Sequence, residues 1–124
     1  MSIKDELTGV IIGSAFEVHN ILGSGFLEKV YENALQQELV SRGLKVQQQA
    51  PLSVKYKEKA VGEYFVDLLV EERAVCELKA VSSTTKQHEA QLVNYLTVTG
   101  LDTGLLINFS DSVVVKRKYR LAKI

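Results

Sequence analysis

The chain has 124 residues, an ordinary size for one domain and too short for two independent ones, so residues 1–124 are expected to form a single unit. Apolar residues make up 46% and charged residues 24%, which excludes an intrinsically disordered chain and a bundle of membrane spans. Lys plus Arg and Asp plus Glu number 15 each, for a formal charge of zero, but the neutral total hides a basic tail. Lys116, Arg117, Lys118, Arg120 and Lys123 stand in a stretch without acids, leaving 10 Lys and Arg against 15 Asp and Glu elsewhere.

The start, Met1-Ser2-Ile3-Lys4-Asp5-Glu6, mixes both charge signs and leads into no long apolar run, so neither a signal peptide nor a membrane span is expected, and the location follows as cytoplasmic. From Asp5 to Leu22, the residues Leu7, Val10, Ile11, Ser14, Ala15, Val18 and Ile21 recur at steps of three and four, the period of an amphipathic helix. Gly23-Ser24-Gly25 reads as a turn. A second helix is predicted from Phe26 to Arg42, closed by Gly43 where a left-handed cap belongs.

After Gly43 the period becomes alternating. Leu44, Val46 and Gln48, then Leu52, Val54 and Tyr56, predict a long interrupted strand, with Pro51 marking an edge or irregularity. Lys57-Glu58-Lys59 makes a hairpin connection to a second strand, Glu63 to Val70, and Glu71-Glu72-Arg73 turns the chain again. A third strand, Ala74 to Val81, is the most apolar and therefore central. Within it the lone Cys76 can form no internal disulfide and reads as a small buried hydrophobe. Ser82-Ser83-Thr84-Thr85 offers several caps for a helix from about Lys86 to Val98, which Gly100 ends. Strands at Thr103 to Phe109 and Val113 to Tyr119 complete the order ααβββαββ, without repeats or low-complexity segments.

The chemistry concentrates on the third strand, where Glu77 and Lys79 lie two residues apart and project from one face. Charges on a central strand are costly unless solvated, paired or bound to a metal, so a plain salt bridge competes with a site. Asp67 sits among apolar residues on the neighbouring strand, and if the two strands pair across Glu71-Glu72-Arg73 it approaches Glu77. Two carboxylates with open water positions suit Mg²⁺, a hard ion that favours phosphate oxygens as further ligands.

On the following helix His88, Gln91 and Tyr95 form a stripe of hydrogen-bonding groups opposite Ala90, Val93 and Leu96, suited either to an active site or to solvent. On the second helix Glu28 shares a stripe with Tyr31, Leu35 and Leu39, which turns it toward the core. There a metal or a lysine would satisfy it, although a first-turn acid complementing the helix dipole is the simpler alternative.

Taken together, Asp67, Glu77-Leu78-Lys79 and Gln91-x-x-x-Tyr95 resemble the PD-(D/E)XK nuclease superfamily with its Q-x-x-x-Y helix motif, and Gly25-Phe26-Leu27-Glu28-Lys29-Val30-Tyr31 resembles the signature of its small GxxExxR family. The likeness continues through His88 to Leu96 and Gly104 to Phe109. Two departures are visible: Val66 replaces the proline of the superfamily name, and Tyr31 occupies the arginine place.

The resemblance implies an α/β fold, α+β in layering, with a restriction-endonuclease-like core: a mixed sheet of about five strands flanked by helices. It implies that Asp67, Glu77 and the Leu78 carbonyl hold Mg²⁺ or Mn²⁺, assisted by Glu28. Lys79 would orient or deprotonate the attacking water, and Gln91 and Tyr95 would position the phosphate backbone or brace the site. His88 and Tyr31 are further candidates to line it. The expected activity is metal-dependent hydrolysis of phosphodiester bonds in DNA or RNA. Lys116, Arg117, Lys118 and Arg120 are candidate phosphate contacts, though a solvated strand face fits them as well. The alternative is a non-catalytic nucleic-acid-binding or protein-interaction module that keeps the fold, and a homodimer with paired sites is a third arrangement.

Overall fold

The computed structural model describes residues 3–120. Two helices, α1 (Ile3–Leu22) and α2 (Glu28–Ser41), precede β1 (Val46–Tyr56), β2 (Lys59–Val70) and β3 (Ala74–Lys79). Then follow α3 (Lys86–Thr99), β4 (Thr103–Phe109) and β5 (Val113–Tyr119). The five strands form one sheet in chain order, antiparallel except for β3 and β4, which run parallel because α3 crosses between them. The mixed sheet and the order ααβββαββ agree with the expectation from sequence.

Each face of the sheet carries its own core. Leu7, Ile11, Ala15 and Val18 of α1 join Tyr31, Leu35 and Leu39 of α2 over Leu68, Cys76, Leu78, Leu105 and Ile107. On the other face Leu92, Tyr95 and Leu96 of α3 cover Val75 and Leu106 together with Ala50, Leu52 and Val66. β3 is central and its inner residues are buried, Cys76 completely, and that burial pushes the thiol far above its ordinary range. On α1, Val10 and Ile21 fall on the exposed side of the predicted stripe.

The ends of the helices follow their local chemistry. Gly43 and Gly100 take the left-handed conformation that terminates α2 and α3. Of the four candidate caps before α3, Thr85 serves: its hydroxyl accepts from the His88 backbone N–H, while the His88 ring accepts from the Thr85 N–H.

The β1–β2 hairpin departs from regular alternation at two places, a register shift between Val54 and Lys55 near the turn and a change of face nearer the site. Ladder pairs run from Val46↔Val70 to Gln48↔Leu68 and resume at Ala50↔Val66, leaving Gln49 and Asp67 opposite each other but unpaired. Leu68 and Val70 belong to the core under α1 and α2, whereas Val66, Ala50 and Leu52 belong to the core under α3. All are even steps apart and would share one face in a regular strand. Both strands therefore change face at Gln49 and Asp67, where Gln49 adopts a φ of 52° that side chains other than glycine rarely take. Pro51 marks an edge, one of its two expected roles: it stands exposed on the edge strand β1, and the change of face lies two residues earlier, at Gln49.

Candidate active site

The site lies where two neighbouring strands part. β2 pairs with β3 only from Leu68↔Cys76 to Val70↔Ala74, while β3 continues along β4 as far as Lys79↔Asn108. Asp67 and Glu77 are the first residues beyond the last pair. Their side chains replace the missing ladder bonds: a Glu77 carboxylate oxygen accepts the Asp67 N–H at 3.1 Å, and an Asp67 carboxylate oxygen accepts the Leu78 N–H at 2.8 Å. This reciprocal exchange holds the two carboxylates together at the base of a fork, as expected from a hairpin across Glu71-Glu72-Arg73.

The electrostatics of this pair are unfavourable without a counter-ion. Burial pushes the Glu77 carboxyl up to about 8, and the neighbouring charge of Asp67 adds to the rise. Asp67 is raised as well, first by burial and then by the charge of Glu32, despite the Leu78 N–H bond that favours its ionised form. Lys79, on the same face of β3 as Glu77, offsets both only in part.

Glu32, rather than Glu28, is the glutamate that α2 turns inward. Glu28 is exposed in the first turn, where a negative charge complements the helix dipole, so the expected core-facing orientation is corrected. One turn later Glu32 is buried. Burial alone would raise its carboxyl, but hydrogen bonds from Lys29, Gln48 and Gln49 hold it below its usual value. The Gln49 amide spans the fork, donating to Glu32 at 2.9 Å and to Asp67 at 3.3 Å. The strained residue of β1 thus links α2 to the carboxylate pair. Neither Glu32 nor Gln49 was singled out from sequence: Glu32 fits the same helical stripe as Glu28, and no residue type at position 49 announces a left-handed backbone.

Tyr31 does not line the site. It is fully buried, stacks on Phe109 with centroids 4.6 Å apart, and its hydroxyl donates to the Gly23 carbonyl while accepting from the Phe26 N–H. Its place in the GxxExxR-like stretch is that of a brace holding the turn between α1 and α2.

Beyond the fork, α3 and the β1–β2 arm enclose a groove lined by Lys79, His88, Gln91 and Tyr95, with Tyr64 on the opposite wall. Gln91 is exposed and Tyr95 is buried with its ring against Tyr64, so the predicted stripe is split. The inward apolar side of α3 is Leu92, Tyr95 and Leu96, and Ala90 is exposed. The segment after Lys79 is fixed by the buried Asn108, whose side chain exchanges two hydrogen bonds with the Val81 backbone. The basic residues of β5 are partly engaged elsewhere: Lys116 and Lys118 both pair with Glu89, and Arg120, just past the strand, pairs with Asp102. Lys123 lies outside the described residues.

Among the described residues no three or more His, Cys, Asp or Glu side chains gather as a metal-binding cluster. A divalent ion would therefore rely on the two carboxylates, a backbone carbonyl and water, a donor set that suits Mg²⁺ or Mn²⁺ better than Zn²⁺. Two half-buried carboxylates, each raised by burial and by neighbouring negative charge, fit such an ion. No helix among the described residues is long and apolar enough to cross a membrane.

Comparison with known proteins agrees with this geometry. The chain resembles the crystal structure of SSO0001, with a TM-score of 0.63 and 15% identity over 77% of this chain and 52% of that one. It also resembles an alkaline exonuclease (LHK-Exo) from Laribacter hongkongensis, with a TM-score of 0.57 and 14% identity over 75% of this chain and 56% of that one. At such identities the likeness concerns the fold, and the matches span little more than half the length of either structure. No curated protein matches the chain. The sequence profile of the PD-(D/E)XK nuclease superfamily matches residues 5–121, nearly the whole chain, and with the forked sheet and its paired carboxylates this shows that the chain belongs to the PD-(D/E)XK nuclease superfamily.

Proposed function

We propose that the chain hydrolyses phosphodiester bonds of nucleic acid with the help of Mg²⁺ or Mn²⁺. The observation that carries this reading is the pair Asp67 and Glu77, locked together at the end of the β2–β3 ladder with Lys79 on the same face as Glu77. Asp67, Glu77 and the Leu78 carbonyl would hold the ion, which when bound polarises the scissile phosphate and lowers the pKa of a bound water.

The protein groups divide the remaining work. The Lys79 ammonium orients the attacking water and stabilises the negative charge that develops on the phosphate. Glu32, through the Gln49 amide, keeps Asp67 in the orientation that the exchange with Leu78 requires. Gln91 presents an amide from α3 toward the phosphate backbone, and Tyr95 braces the wall beside it.

Incubation of labelled oligonucleotides with the wild type, Asp67→Ala and Lys79→Ala in Mg²⁺ or Mn²⁺ tests the proposal. The wild type should cleave only with metal, and each variant should lose roughly 10³-fold in rate, about 4 kcal/mol of transition-state stabilisation. Metal-dependent cleavage left unchanged in both variants would refute it.

A further inference from the structure

The groove beyond the fork holds a feature that the carboxylate chemistry does not use. Its volume is about 800 Å³, room for more than a single phosphate group, and one wall carries the Tyr64 ring, 45% exposed. That ring is held in place. It lies 5.8 Å from the Tyr95 ring at an interplanar angle of 48°, and it folds over Gly62, where an added Cβ would stand 3.1 Å from the ring edge. Gly62 thus makes room for the ring, and Tyr95 supports it from α3.

The groove adjoins the carboxylate pair through Lys79, which lines it two residues along β3 from Glu77. The charges of Glu77 and Asp67 act on Tyr95 closely enough to help raise its hydroxyl pKa, after burial. Facing Tyr64 are the side chains of Gln87, Gln91 and Asn94, hydrogen-bonding groups without net charge. A wall of this kind grips a nucleotide by its flat face and polar edges.

We propose that Tyr64 is a stacking platform for one base of a single-stranded nucleic acid whose scissile phosphate lies at Asp67 and Glu77. This rests on the catalytic reading above and names its substrate class. A base inside a duplex has both faces covered by its neighbours, so an exposed ring receives an unstacked nucleotide or, at most, the last base of a duplex end. Duplex binding draws most of its affinity from arrays of cations on phosphates, and here Lys116, Lys118 and Arg120 are already paired with acids in a chain of zero formal charge. Stacking on Tyr64, supported by neutral donors, suits a single strand.

The test compares wild type, Tyr64→Leu and Tyr64→Phe. Leu fills similar space without a π face, and Phe retains the face. Anisotropy of labelled single-stranded DNA and RNA 12-mers and of a blunt duplex, in Ca²⁺, is measured beside KM and kcat for cleavage in Mn²⁺. Tyr64→Leu should weaken single-strand binding and raise KM about tenfold while Tyr64→Phe stays near wild type. An abasic residue moved along the strand should abolish the difference between wild type and Tyr64→Leu at one position only.

Equal affinities for Tyr64→Leu and wild type, a loss that persists at every abasic position, or a duplex bound as tightly as the single strand would each overturn the proposal. If no substrate is cleaved, the anisotropy series still decides the platform, while the catalytic reading fails separately.

Discussion

The two ends of β3 contrast in how their polar groups are satisfied. From Ala74 to Cys76 the strand is paired on both sides, its side chains are apolar and buried, and backbone bonds to β2 and β4 occupy its polar atoms. From Glu77 onward one neighbour is lost, and side-chain carboxylates take over the bonds that the ladder no longer makes. The first half builds stability; the second holds two acids where burial opposes their charge. A strand can thus carry a core and a site within six residues because its neighbour turns away between them.

Replacing one acid should sharpen that contrast most. The Glu77 carboxyl, near 4.5 in the unfolded chain and about 8 when folded, favours the folded state in its neutral form. Its contribution is complete below pH 4.5 and is lost as pH rises through 8. Glu77→Gln keeps the oxygen that accepts from Asp67 but cannot ionise. Without metal it should therefore be more stable than wild type at pH 9, by on the order of 2–4 kcal/mol, and not at pH 4. Millimolar Mg²⁺ should narrow the gap by stabilising only the wild type. Thermal melts across pH check this.

On the regular side, a Cβ at Gly104 would stand 2.8 Å from a methyl of Leu92, so β4 and α3 are in close contact there. Gly104→Ala should cost about 1–3 kcal/mol by overpacking, measured by urea unfolding, while the cleavage rate of the folded fraction stays unchanged.

The smallest effect belongs to the hinge between the regions. Gln49→Gly removes the amide that links Glu32 to Asp67 but relieves the backbone at φ 52°. Stability should change by less than about 1 kcal/mol, and the cleavage rate should fall roughly tenfold. An unchanged rate would mean that the amide does not position Asp67.

The same contrast explains what the sequence made legible. Helix α1, the helix-ending glycines, the central β3 and the approach of Asp67 to Glu77 all follow from periodicity and turn chemistry, because regular elements repeat their environment at a fixed step. The first hairpin strand reads from sequence as alternating on both sides of an interruption near Pro51, and alternation alone treats Gln48 and Leu52 as facing the same way. The change of face at Gln49 breaks that rule, and a glutamine in a left-handed conformation carries no mark in the sequence. Glu28 lies inside a helix predicted to begin at Phe26, whereas α2 begins at Glu28 itself and leaves it in the exposed first turn; helix ends are less sharply encoded than helix interiors. Tyr64 was legible only as a strand residue, since its exposure follows from the arm bending over α3.

The most direct measurement is calorimetric titration of Mn²⁺ into the wild type and Asp67→Ala at pH 7.5. The account predicts one site in the wild type, with proton release as the Glu77 carboxyl, pushed up to about 8, ionises, and no binding in the variant. Equal binding by both proteins, or none by the wild type, would contradict the claim that the fork in the sheet is a metal site.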